Sequence, residues 1–200
     1  YDIPGNSGLS AEERAARHAR WHDPFHAALA QVLDGRRGGA FVTVHSFTPV
    51  YNGARREVEI GYLHDAGDRL ARAALAAEEA RGRYRSALNE PYAASDGVTY
   101  TLRKHGEARG LPSLMIEVRN DLIDTEDKAR AMAGHLYGTL AAALTARTID
   151  AGELSLAGQA LMYPMLDDRT AADPSHTDPA HVRLWNGASN RLGWGMYLGG

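Results

Sequence analysis

Apolar residues along the first two-thirds of the chain switch between a helical period and short continuous runs. Ser10-Ala-Glu-Glu13 is a capping box, in which the Ser hydroxyl and the Glu carboxylate satisfy orphan backbone N–H groups. It predicts a helix reaching about Leu33, with Trp21, Phe25, Leu29 and Val32 as its apolar stripe. Asp34-Gly35 and Gly38-Gly39 end it. The β-rich run from Ala40 to Ser46 reads as a buried strand, and Val58 to Leu63 as another, with an Asn52-Gly53 turn between them. An alanine-rich helix from Asp68 to Arg81 closes on Gly82. A short helix over Thr99 to Arg109 closes on Gly110, and Leu114 to Val118 reads as a third strand. Thr125 caps a last helix, with Glu126 and Asp127 favourable in its first turn and Ala129, Met132, Leu136, Leu140 and Leu144 as its buried stripe.

Strands alternating with helices predict an α/β fold with a mostly parallel sheet. After Arg147 the pattern is lost: Leu161 to Leu166 is an apolar run broken by Pro, and Asp167 to His181 is rich in Asp, Pro, Thr and Ser. A domain boundary is therefore expected near residue 148.

Composition narrows the function classes. The 200 residues are 44% hydrophobic and 24% charged, as in an ordinary globular protein. A net charge of -3 gives no reason to expect a nucleic acid or an anionic membrane as partner. With no cysteine, thiolate chemistry is excluded, and any metal must be held by His, Asp and Glu. No apolar run approaches the roughly 20 residues that span a bilayer. The chain opens at Tyr1 in a loop-like stretch with no signal peptide to read, which leads to the expectation of a fragment from a cytoplasmic protein.

His45 ends a predicted strand just before Ser46-Phe-Thr-Pro49, and strand ends in α/β folds are where ligands bind. A packed core histidine and a metal ligand both fit that position. Glu117 lies between apolar neighbours within a strand, where an unpaired carboxylate is costly. A Glu117–Arg119 ion pair on one strand face would explain it, and so would a general base. Arg55-Arg56 is a solvated basic turn or a fork for a substrate carboxylate. Asn89, Glu90 and Tyr92 cluster on a loop, and His105 sits near a helix end. His18, His22 and His26 recur at i, i+4 beside the Trp21 and Phe25 stripe, which favours a helix flank over a chelate.

Several stretches in order resemble the N-formylglutamate amidohydrolase family. They are Ile3 to Asn6; Asp23-Pro-Phe-His26; Val44 to Tyr51 with Gly53 and Arg56; Asn89-Glu-Pro-Tyr92; Tyr100-Thr-Leu102 with His105; Arg109 to Pro112; and Ile116 to Ile123. The resemblance covers residues 1–147. It implies a three-layer fold similar to the zinc carboxypeptidases, truncated at its N-terminus, and hydrolysis of a small N-acyl, such as N-formyl, amino acid. Zinc is the implied cofactor. His45 matches one metal ligand, and the two others belong to an early motif upstream of this chain. Glu117 matches the general base, with Arg119 positioning it or stabilising the oxyanion. Arg56 matches the substrate carboxylate clamp, and Asn89, Tyr92 and His105 match the pocket lining. The family's usual Pro-Trp-His after the arginine reads Glu57-Val-Glu59 here, and the Gly-Asp before Asn89 is missing.

Residues 148–200 do not share this likeness. Leu161 to Arg169 and Asn190 to Gly199 resemble a fragment of a hormone-sensitive-lipase-type α/β-hydrolase esterase. Neither a serine elbow nor a later acid–histidine pair accompanies them, so Asp167, Asp168 and His181 are expected to be structural. A chimeric chain is expected, and with it the alternative of a fragment that turns over nothing by itself.

Overall fold

The computed structural model describes residues 8–35 and 38–151, with side chains through Thr145. Ile3 to Asn6, and the tail with Asp167, Asp168 and His181, lie outside the described residues. The chain divides into two compact units, whose described residues are 8–32 in the first and 33–35 with 38–151 in the second.

In the first unit the capping box forms as its residues dictate. Ser10 Oγ accepts from the Glu13 N–H, and the Glu13 carboxylate accepts from the Ser10 N–H at 2.8 Å. It opens α1 (Ala11–Arg17), which widens into a π-turn over His18–His22 before α2 (Asp23–Asp34). A π-turn carries one residue more than an α-turn, which shifts every later side chain by roughly 100° against uninterrupted α spacing. The expected stripe holds only in part, with Phe25 and Leu29 half-buried. Trp21 and Val32 are exposed, and His26 is buried in their place.

In the second unit, β1 (Phe41–Phe47) leads into a hairpin of β2 (Val50–Tyr51) and β3 (Ala54–Arg55). Asn52 and Gly53 turn it with φ of 50° and 77°, the left-handed pair of a type I′ turn. Then follow β4 (Ile60–Leu63), α3 (Arg69–Arg81) closed by left-handed Gly82, and β5 (Ser86–Leu88). The expected helix before Gly110 is instead a π-turn over Leu102–Gly106 and a 3-10 turn over Glu107–Arg109. β6 (Ser113–Arg119) and α4 (Glu126–Ala151) complete the described chain, and α4 runs through residue 148 without a break.

The sheet order is β1-β6-β4-β5. β1 runs parallel to β6 and β5 parallel to β4, while β4 and β6 are antiparallel, so the α/β sheet is mixed but mostly parallel. Side chains alternate between its faces. Ile60, Tyr62, Leu114, Ile116 and Val118 point to one face, where Leu70, Ala71 and Ala74 of α3 and Met132, Leu136 and Ala143 of α4 close the core. Ala129, Leu140 and Leu144 are half-buried beside them.

One polar group crosses this core. The fully buried Glu78 carboxylate meets His135 Nε2 at 2.7 Å and accepts from the Tyr62 and Thr139 hydroxyls, each at 3.0 Å. Burial and the neighbouring carboxylate push the Tyr62 phenol well above its usual range, so it stays a donor. The network joins α3, α4 and β4 and satisfies a carboxylate that would otherwise be prohibitive to bury.

Candidate active site

The other sheet face carries His45, Glu117 and Gly61. His45 and Glu117 are register partners across β1 and β6, and Gly61 of β4 partners Glu117 from the far side. Neighbouring strands lie about 4.8 Å apart, so the imidazole and the carboxylate stand side by side near the strand ends. Gly61 has no side chain, and the space is taken by backbone: a Cβ there would lie 1.8 Å from the Glu90 carbonyl oxygen. The Asn89 to Tyr92 segment thereby folds against this row. It turns on Asn89, at φ 51°, and on a cis Glu90–Pro91 bond.

Asn89 anchors that segment. Its Oδ1 accepts from the His64 N–H at 3.0 Å, and its amide donates to His64 Nε2 at 3.1 Å. His64 Nδ1 in turn donates to the Asp65 carbonyl at 2.9 Å, which fixes the tautomer.

Arg56 sits in a box of rings. Its guanidinium lies 4.6 Å from the Tyr51 ring centroid, 5.1 Å from Tyr92 and 5.5 Å from Phe47. It also donates to the Thr48 carbonyl at 3.2 Å. Aromatic faces attract and orient such a cation. Arg56 is close enough to Glu117 to hold its carboxyl down, yet burial wins and pushes Glu117 up to about 7. Glu117 Oε2 is buried and has no hydrogen-bond partner among the described residues. Burial lowers His45 below the usual imidazole range, so it is neutral at pH 7. The row thus pairs a neutral nitrogen donor with a carboxyl poised to gain or lose a proton near neutrality.

Arg119 does not form the ion pair with Glu117 that strand spacing allowed. Its guanidinium donates to Asp121 at 2.8 Å, Glu59 at 3.2 Å and the Arg56 carbonyl at 3.2 Å. It therefore fixes the backbone from which Arg56 reaches the site. Glu59 and Glu57, which replace the family's Pro-Trp-His, are absorbed here too: Glu59 also accepts from the Arg85 N–H at 2.9 Å, and Glu57 pairs with the Arg85 guanidinium. His105 packs against Phe41, with ring centroids 6.5 Å apart. Phe41 lies four residues before His45, about 13 Å back along β1, so the structure does not bring His105 to the His45–Glu117 row. Arg55 stays exposed in β3.

Sequence reasoning missed Gly61, the Phe47 and Tyr51 rings, and Glu59. The legible signal was Gly61, because a glycine inside a strand marks close approach of another backbone.

A metal at this row would find one neutral imidazole, in His45, beside a carboxylate. Among the described residues, no group of three potential ligands includes His45; the cluster that does form is His18, His22 and Asp23. The residues fit one position of a zinc site.

These features define an α/β protein with an imidazole–carboxylate pair at adjacent strand ends. A family model described as N-formylglutamate amidohydrolase matches residues 2–124, and the chain belongs to that family. A second model, alpha/beta hydrolase fold, matches residues 84–200; within its first part, β5 and β6 are built into the sheet described above. The crystal structure of a gene product from Agrobacterium tumefaciens is 46% identical, with a TM-score of 0.70 over 74% of this chain and 60% of its own length. The chain thus spans about 60% of that relative. The N-formylglutamate amidohydrolase of Ralstonia eutropha JMP134 is 22% identical, with a TM-score of 0.47 over 74% of this chain and 58% of its own. No curated protein matches. No helix among the described residues is long and apolar enough to cross a membrane.

Proposed function

We propose that this chain belongs to a cytoplasmic, zinc-dependent hydrolase of small N-acyl amino acids, N-formylglutamate or a related acidic compound among them. Residues 1–147 are read as its amidohydrolase-like domain and 148–200 as an esterase-like segment. The observation that carries the reading is the His45–Glu117 row, with a buried carboxyl brought to about 7 beside a neutral imidazole.

Glu117 takes a proton from the water that attacks the acyl carbon, and donates it to the amine nitrogen as the C–N bond breaks. The products are a carboxylate and a free amino acid. Arg56, held by its three rings, receives the substrate carboxylate. Tyr92 and the Asn89 turn wall the pocket, and Arg119 keeps Arg56 in place. His45 supplies one ligand to zinc, which when bound lowers the pKa of water and polarises the carbonyl.

The test is formate release from N-formylglutamate, measured with zinc, with chelator, and in Glu117→Gln. Release that needs zinc and is lost in the variant is the expected result. Release unchanged by either treatment overturns the mechanism. Because no group of three potential ligands among the described residues includes His45, a second reading stands beside this one, a segment with no turnover of its own. Zinc-dependent release by these 200 residues excludes it.

A further inference from the structure

The π-turn in the first unit brings three metal-ligating side chains together. The Asp23 N–H donates to the His18 carbonyl, the i to i+5 bond that defines such a turn. In an α-helix, residue i+5 points roughly 140° away from residue i. Here it lies beneath His18 instead. The Asp23 Oδ1 atom is 2.9 Å from His18 Nδ1 and 3.1 Å from His22 Nδ1. The two imidazole rings stack with centroids 3.8 Å apart, so both nitrogens converge on one oxygen.

We propose that His18, His22 and Asp23 form a surface site for one zinc ion or a first-row dication of similar softness. Two imidazoles and one carboxylate are a donor set for zinc, not for calcium or magnesium, which take oxygen ligands. Ligands around tetrahedral zinc sit roughly 3.3 Å from one another. The 2.9 and 3.1 Å separations fall close to that value, so a small rotation of the rings opens room for an ion. His18 and Asp23 are more than half exposed, which gives the ion direct access and leaves a fourth position to water. All three ligands come from one turn of chain, so the site needs nothing from the His45 row. The absence of cysteine removes the usual competitor for zinc.

The experiment is a calorimetric titration of the full chain with zinc chloride, comparing wild type with His18→Gln, His22→Gln and His45→Ala. Far-UV circular dichroism confirms that each variant is folded, and imidazole proton resonances of the wild type report which rings are bound. One zinc per chain is expected at this site. Affinity should fall at least about tenfold in each π-turn variant, since even the partners of metal ligands are worth that much. It should be unchanged in His45→Ala. Binding lost in His45→Ala but kept in His18→Gln and His22→Gln overturns the proposal while supporting the strand-end site. No binding up to about 1 mM zinc also overturns it.

Discussion

His45 and Glu117 face the same way from neighbouring parallel strands, and burial makes both awkward to charge, lowering the imidazole and raising the carboxyl. The Glu117 carboxyl titrates at about 7 against an ordinary 4.5, so the folded chain binds its proton more tightly than the unfolded chain does. That contribution to stability is complete below about pH 4.5 and is lost as the pH rises through about 7. Glutamine cannot ionise. Glu117→Gln should therefore match the wild type near pH 4 and exceed it above pH 7, by up to about 3 kcal/mol. Urea unfolding at the two pH values tests this, and a difference that does not change with pH would sink it.

Arg56 pulls Glu117 in the opposite direction from burial. Replacing Arg56 with Met keeps much of the stem that packs among Phe47, Tyr51 and Tyr92 but removes the charge. The Glu117 carboxyl should then titrate above 7, as followed by carbon-13 NMR of the labelled side chain. A titration moved downward would show that the guanidinium does not act on this group.

Gly61→Ala forces the strand and the Glu90 carbonyl apart, because the new Cβ would lie 1.8 Å from that oxygen. Overpacking of this kind costs about 1–3 kcal/mol, and here the obstacle is backbone, which yields less readily than a side chain. Thermal unfolding should register a drop of several degrees. An unshifted melting temperature would mean that the 89–92 segment does not rest on the sheet.

His135→Ala leaves the buried Glu78 carboxylate with only its hydroxyl donors, Tyr62 and Thr139. Removing one partner of a buried pair costs about 3–5 kcal/mol, since the remaining charge keeps its desolvation penalty. Replacing Glu78 with Met together with His135→Leu should cost less than His135→Ala alone. Chemical denaturation of the two variants decides it, and the reverse order would deny the pair its place in the core.

Most of the second unit's framework can be read from the residues. The buried runs at β1, β4 and β6 and the amphipathic face of α4 each follow from apolar spacing, and Gly82 and Gly110 mark the left-handed ends they occupy. Periodicity failed where local geometry departs from regular helix or strand. The π-turn at His18–His22 has no composition signal and displaces the stripe that follows it. β5 is three residues long, too short to show a period. The placement of His45, Arg56 and Glu117 was legible only as separate motifs. Their meeting depends on which strands pair, and the antiparallel β4 between β6 and β5 is a tertiary choice that no local pattern announces.

Gly61 also has an evolutionary meaning. Any other residue at that position collides with the Glu90 carbonyl, so a mutation there can persist only in a lineage whose 89–92 turn has already been rebuilt. The strand and the turn should be inherited as a pair, and transplanting either one into a homologue with a different partner should cost that homologue stability.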